Sequence, residues 1–456
     1  MPFQRIAAPL MRFLAFLALL GWAAAPAAAQ SILRDAETEA LLKDMSAPLV
    51  KASGLDPANV DIVLVNDPSV NAFVAGGQAV YVNSGLINEA DTAGEVQGVI
   101  AHELGHVTGG HAVLNLGASS ATNISLLSLL LGAAAAAAGG GEAAMGVIMA
   151  GQQAAMGKYL AYNRSQEASA DAAGAQYLSA AGISGRGSVE FFKKLQNLEF
   201  RYGYRPKDGD EFYSTHPLTG DRIQTLQDTY EKDPAWNKPD DPKLQQRFMR
   251  MKAKLFGYLA EPKDVLRQYP LTDNSIPAHY ARAYAYHKDA QFDLATAETD
   301  ALIEADPEDP YFLELEGQIL LESGRPQEAL APLRKATELT GNQPLIATLC
   351  GHALIATEDP SNFKEAERVL RNAVARDREN PFTWYQLGVI YAAKGDMPRA
   401  RLASAEQQVL SGNMNAALMS AQAAEAGLPT GTPDWIRAQD IEMQARAELE
   451  REKKRR

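Results

Sequence analysis

The sequence predicts a mostly helical α+β domain with a small sheet, followed by an all-α solenoid of helix–turn–helix repeats. Three observations lead there. From Ser31 to about Asp240 helical and strand-like patterns alternate. Beyond Pro242 small residues return every 34 positions. The chain has 1 cysteine, Cys350, so packing rather than internal disulfides must hold both parts together. With 456 residues, 46% apolar and 22% charged, there is ample material for buried cores and for roughly three modules. The 43 Lys and Arg against 56 Asp and Glu give a net charge of -13. Nucleic acid and anionic lipid headgroups both need a cationic face and are excluded as partners.

In chain order, residues 1–29 read as a signal peptide. Arg5 and Arg12 precede an apolar run from Phe13 to Ala25, then Pro26 and Ala27-Ala28-Ala29, an A-x-A cleavage site. That run is shorter than the roughly 20 residues a span requires. No cysteine follows the site, so a lipid anchor is not expected, and the mature chain from Gln30 would work outside the cytoplasm, in a periplasm. Asp35–Ser53 is an acidic amphipathic helix pattern, Val60–Val65 is strand-like, and Asn71–Gly85 reads as a strand pair around Gly76-Gly77.

Residues 112–141 carry no charge, and Glu142 is the only one before Lys158. An uncharged helical hairpin over 112–157 that covers a groove or touches a membrane surface would explain this. A buried core hairpin and a transmembrane hairpin are the alternatives, the last weakened by the many alanines and glycines.

After the Pro239–Pro242 linker, Ala283, Gly317 and Gly351 stand 34 apart, as do Pro310 and Pro344. This is the tetratricopeptide period. Trp384, Leu387, Gly388 and Tyr391 supply its W-x2-L-G-x2-Y signature, and Ala295, Ala329 and Ala366 start the second helices. The expected organisation is a catalytic domain over 30–244, about four repeats over 245–428, and a charged, solvated helical tail over 429–456. Cys350, beside Gly351, reads as a buried inert thiol.

The chemistry is concentrated in His102-Glu103-Leu104-Gly105-His106. On a helix the two histidines differ by about 40° and can share one metal, while Glu103, about 100° from His102, can reach a water without being a ligand. Such a set fits zinc hydrolysis, which needs a third protein ligand and one open position. A third histidine at position 112 would complete one familiar pattern, but that residue is Ala112. His111 would face away if the helix continued, which gives it a structural role, either in the core or supporting a ligand. The better candidate is Glu167 in Asn163-Arg-Ser-Gln-Glu167-Ala-Ser-Ala-Asp171, with Asp171, four residues on, orienting a zinc histidine.

H-E-x-x-H followed some sixty residues later by N-R-x-x-E-x-x-A-D resembles the zinc metallopeptidases of the HtpX and CAAX prenyl protease type. Asn71-Ala-Phe, Val80-Tyr-Val-Asn-Ser-Gly85, Thr215-His216-Pro217 and Arg222-Ile223 are similar to that family as well. The resemblance implies a gluzincin-like metalloprotease fold, one Zn2+ per chain bound by His102, His106 and Glu167, and Glu103 as general base. It implies that Asp171, Asn163, Arg164 and Arg222 support the ligands. His216 would lie near the metal, either on the oxyanion or in the fourth metal position of a resting form. The strand Val80, Tyr81, Val82 and Asn83 would receive substrate backbone as an added β-strand.

With a signal peptide and repeats attached, the layout is similar to periplasmic members that act on outer-membrane proteins. Their implied partners are unfolded or misassembled β-barrel proteins and the β-barrel assembly machinery. A rival reading is a non-proteolytic chaperone or adaptor that uses the repeat array, which an intact Glu103 disfavours.

Overall fold

The computed structural model describes residues 31–111, 124–131, 141–202, 216 and 219–455. The expected signal peptide and much of the uncharged stretch lie outside these residues, as do Thr215 and Pro217. Helix α1 (Ala36–Ser53) starts where the Asp35 carboxylate accepts the Thr38 N–H at 2.8 Å and stops at Gly54, whose φ of 75° is open to glycine. It buries Leu41, Leu42, Met45 and Leu49.

Strands β1 (Ser31–Ile32), β2 (Ile62–Asn66), β3 (Ala72–Ala75) and β4 (Ala79–Asn83) form one sheet in the order β1-β2-β4-β3. β3 and β4 are the antiparallel pair expected around Gly76-Gly77, whose φ angles are 63° and 104°. β4 also pairs in parallel with β2, from Ile62 opposite Val80 to Val65 opposite Asn83. β4 is therefore an interior strand with both edges paired. The expectation that Val80–Asn83 receives a substrate strand is corrected: among the described residues the outer edge on this side belongs to β3.

Helix α2 (Ser84–Glu89) leads to α3 (Ala93–Thr108), which Thr92 caps by accepting the Glu95 N–H at 3.1 Å. A short helix α4 (124–131) precedes the long α5 (Gly141–Ala181), then α6 (Arg186–Tyr202) and α7 (Gly220–Tyr230). α3 is buried over its catalytic turns because α5 and α6 approach it backbone to backbone. A Cβ at Gly105 would sit 2.6 Å from the Ala170 carbonyl oxygen, and one at Gly98 would sit 2.6 Å from Ser188 Cα. The core joins α1, the inner sheet residues Val80 and Val82, Ile100 and Leu104 of α3, and Phe191 and Phe192 of α6.

Leu126, Leu127 and Leu129–Leu131 of α4 are exposed, which excludes the buried-hairpin alternative for them. Among the described residues no helix is long and apolar enough to cross a membrane.

Helix α8 (Pro242–Leu259) contains the boundary expected at 244/245 and serves both sides of it. Phe248 and Met251 join the first core, while Ala253 packs with Val265, Ala281 and Ala285. After α9 (Pro262–Gln268) the hairpins α10 (Ile276–Lys288) with α11 (Phe292–Ala305), α12 (Pro310–Glu322) with α13 (Pro326–Leu339), and α14 (Pro344–Ala356) with α15 (Phe363–Arg376) follow the repeat. The series ends with α16 (Pro381–Ala393) and α17 (Met397–Leu410), then α18 (Met414–Gly427) and α19 (Pro433–Arg455).

The periodic glycines permit close helix pairing. Side-chain carbons at Gly317 and Gly351 would collide with Leu333 and Leu370. The tail expectation is corrected: α19 is helical and charged, yet Ala438, Ile441 and Ala445 are buried against Leu402, Ala417 and Ala421. This sparse stripe caps the array, and α18 with α19 makes a further hairpin.

The solenoid also closes back on the start of the chain. Ala36 packs against Leu313, Ala336 and Ile346. Glu37 accepts the Tyr280 hydroxyl at 2.7 Å and Arg250 Nε at 2.5 Å. Lys254 contacts Asp35 at 2.5 Å, and Arg34 reaches Asp377 at 2.9 Å.

Candidate metal centre

Helix α3 presents His102 and His106 on one face, one turn apart, and their Nε2 atoms lie 3.1 Å from each other. The Gly105 contact with α5 brings Glu167 opposite: Oε2 is 3.4 Å from His102 Nε2 and Oε1 is 3.3 Å from His106 Nε2. His216 Nδ1 completes the group, 3.1 Å from Glu167 Oε1 and 3.4 Å from His102 Nε2. One ligand atom from each of the four residues lies within 4.8 Å of all the others, and all four residues are buried.

These separations match zinc's needs. Four donors on a tetrahedron with bonds near 2.0–2.1 Å sit about 3.3 Å apart. Two imidazole nitrogens facing each other at 3.1 Å beside a third ring and a carboxylate form a dry, electron-rich pocket. A cation at its centre satisfies all of them at once. Glu103 adds a second sign: it is 1% exposed and neither carboxylate oxygen has a hydrogen-bond partner among the described residues. Its Oε1 faces His216 Nε2 at 3.6 Å. An unpaired buried carboxylate is expensive unless something polar occupies the space before it.

Around the ligands, Asp171 Oδ1 contacts His102 Nδ1 at 2.9 Å and fixes which nitrogen points inward. Arg222, at the start of α7, donates to Asp171 through Nε at 2.5 Å and Nη2 at 2.8 Å. Its Nη1 lies 2.9 Å from Glu167 Oε2, so one guanidinium holds both carboxylates. Burial raises the pKa of each carboxyl group, but hydrogen bonds outweigh it: Arg222 and His102 hold Asp171 below the usual range, and the three histidines hold Glu167 well below it. Burial would likewise lower His102, yet its bonds to Asp171 and Glu167 lift it to about 9 without metal. Burial keeps His106 low.

The structure thus gathers His102, His106, Glu167 and His216 around one point, with Glu103, Asp171 and Arg222 beside them. Asn163 and Arg164 line a groove of about 800 Å³ next to Glu167, but among the described residues they make no hydrogen bond to the four.

His111 takes up one of its two expected structural roles, beside a ligand, although not on a continued helix. α3 ends at Thr108 instead of continuing, and Gly110, at φ 64°, turns the chain back. His111 Nδ1 then lies 2.9 Å from His106 Nδ1, the nitrogen that faces away from Glu167. The Gly109-Gly110 pair was the available signal.

Residues 34–230 match the model for Peptidase family M48. The beta-barrel assembly-enhancing protease of Escherichia coli (strain K12) is 24% identical over 379 residues, covering 81% of this chain and 75% of that protein. The mitochondrial metalloendopeptidase OMA1 of Bos taurus is 30% identical over 178 residues, 38% of this chain and 33% of its own length. Among solved structures, the TPR protein YrrB aligns at 21% identity over 40% of this chain and 94% of its own, with a TM-score of 0.32. The matched region contains the whole H-E-x-x-H helix, Glu167 and His216, and their geometry suits one zinc ion, so this chain is a zinc metallopeptidase whose residues 34–230 are similar to family M48 and are followed by tetratricopeptide repeats.

Proposed function

We propose that the chain is a periplasmic zinc endopeptidase for misfolded or misassembled outer-membrane β-barrel proteins, and that its repeat array docks those clients or their assembly machinery. The observation that carries the peptidase assignment is the buried Glu103 carboxylate, without a hydrogen-bond partner among the described residues, beside a four-cornered ligand set. The client class rests on the name of the Escherichia coli relative and on an export signal in residues 1–29.

His102, His106 and Glu167 would hold a zinc ion, which would supply Lewis acidity for a peptide carbonyl and lower the pKa of a nearby water. Glu103 takes the proton from that water and delivers it to the leaving amine. Asp171 keeps His102 in its inward tautomer, and Arg222 keeps Asp171 and Glu167 ionised and in place. His216 occupies the corner that a water needs, which describes a closed resting site. Once His216 swings off, its ring remains close enough to donate to a developing oxyanion.

Substrate backbone adds to the outer edge of β3, Ala72–Ala75, which runs beside α3. Recognition by main-chain hydrogen bonds selects unpaired strands and tolerates varied side chains. The test is digestion of casein and of an unfolded outer-membrane β-barrel protein by the purified chain. Cleavage abolished by a chelator and restored by zinc is expected. Chelator-insensitive or absent cleavage, with the repeats still binding the client, would favour the adaptor reading.

A further inference from the structure

The uncharged segment displays an apolar tip that none of the described residues covers. On α4, Leu126, Leu127, Leu129, Leu130 and Leu131 are 54%, 58%, 47%, 69% and 54% exposed. At about 100° per residue these five side chains sweep an arc of about 200°. Ser128, outside that arc, is buried, and it meets α5 at Gly151, where a Cβ would come within 1.9 Å of Ser128 Cβ. α4 is thus propped on α5 at Ser128 and shows leucine over most of its remaining surface, with Ile124 and Ser125 half-buried at its start. On α5, Met145, Met149, Met156 and Leu160 are exposed and fall within about 60° of one another, forming a single stripe along the same tip.

We propose that this tip, α4 with the first half of α5, is a bilayer anchor that inserts shallowly among lipid acyl chains. A leucine surface wrapping about 200° of a helix calls for a surrounding apolar medium, whereas a protein partner would cover one flank of it. From residue 124 to 157 the sequence has none of the aromatic and arginine residues that are enriched at protein interfaces. From residue 112 to 157 Glu142 is the only charge. Insertion therefore follows apolar burial and does not depend on anionic headgroups. α4 has 8 residues, far short of a span, so it lies in the interface.

The anchor has a consequence for the metal centre, because Glu167 is on the same helix, on the side that carries the methionine stripe. At 1.5 Å per residue, Met149 and Glu167 are about 27 Å apart along α5. Docking at the tip holds the metal centre that distance from the bilayer surface, whatever its substrate, so the proposal does not require the client class proposed above.

The test is flotation of the full-length mature chain with phosphatidylcholine vesicles and with vesicles containing added phosphatidylglycerol. Wild type and Leu127→Glu/Leu130→Glu are compared, with light scattering and casein cleavage in solution as parallel readouts. Expected are similar flotation with both lipids, little change on raising the salt, and at least about a tenfold loss in the double variant with unchanged casein cleavage. Absent flotation of wild type, or equal flotation of the variant, would overturn it. So would a wild-type dimer that the variant converts to monomer without any lipid binding, which would make the tip a self-association surface.

Discussion

His216 Nδ1 lies 3.1 Å from Glu167 Oε1, so His216 supplies the fourth corner of the ligand set. Replacing His216 by alanine should open that corner while three protein ligands keep the metal. Basal casein cleavage is expected to rise several-fold, with one zinc per chain in dialysed protein. A variant that keeps its zinc and loses activity would give His216 a role only in stabilising the transition state.

Glu103→Gln preserves size and removes the proton acceptor. Zinc content should be unchanged, while casein hydrolysis should fall by about 10²–10⁴-fold. Glu167→Ala should behave oppositely at the first step, with metal binding itself weakened in competition against a chromogenic chelator.

Arg222→Ala tests the clamp on the two carboxylates. Losing a partner that orients metal ligands typically weakens binding by about 10–100-fold. The same chelator competition reads this out, and Asp171→Asn should resemble it because the two residues act in series on His102.

Protonation gives a pH signature of opposite sign in the metal-free and zinc-loaded protein. Burial alone would lower His102, but hydrogen bonds to Asp171 and Glu167 raise it to about 9 in the metal-free site. That pairing stabilises the metal-free fold fully below the unfolded value of about 6.5 and is lost as pH rises through about 9. Zinc needs the neutral ring, so its stabilisation grows over the same range. The gap in Tm between zinc-loaded and chelator-stripped protein should widen from pH 6 to 9. A narrowing gap would remove His102 from the ligand set.

At the junction, Glu37→Ala leaves Arg250, Lys254 and the Tyr280 hydroxyl short of a buried partner. Breaking such a group by removing one member costs about 3–5 kcal/mol. Thermal unfolding should shift down clearly for Glu37→Ala and scarcely for Lys51→Ala, an exposed residue on the same helix.

What could be read from sequence was what local periodicity encodes. His102, Glu103 and His106 needed only a helical turn, and Glu167 with Asp171 only another. The place of β4 was hidden because strand order depends on the parallel pairing of Ile62–Val65 with Val80–Asn83, a contact between segments that local patterns do not join. His111 could be given only a structural role, in the core or beside a ligand, because its direction depends on α3 ending at Thr108 before Gly109-Gly110. The burial of α19 was masked by its charge, since Ala438, Ile441 and Ala445 make a thin stripe among acidic and basic neighbours.

Because Arg34, Asp35 and Glu37 are gripped by residues as distant as Lys254, Tyr280 and Asp377, the two halves are a closed loop and not beads on a thread. The stretch around Arg34–Glu37, made early, would wait for hundreds of later residues before it could settle. Clipping off the repeats would therefore loosen the helix that supplies Leu41 and Met45 to the catalytic core, and a stand-alone peptidase fragment should be a fragile one.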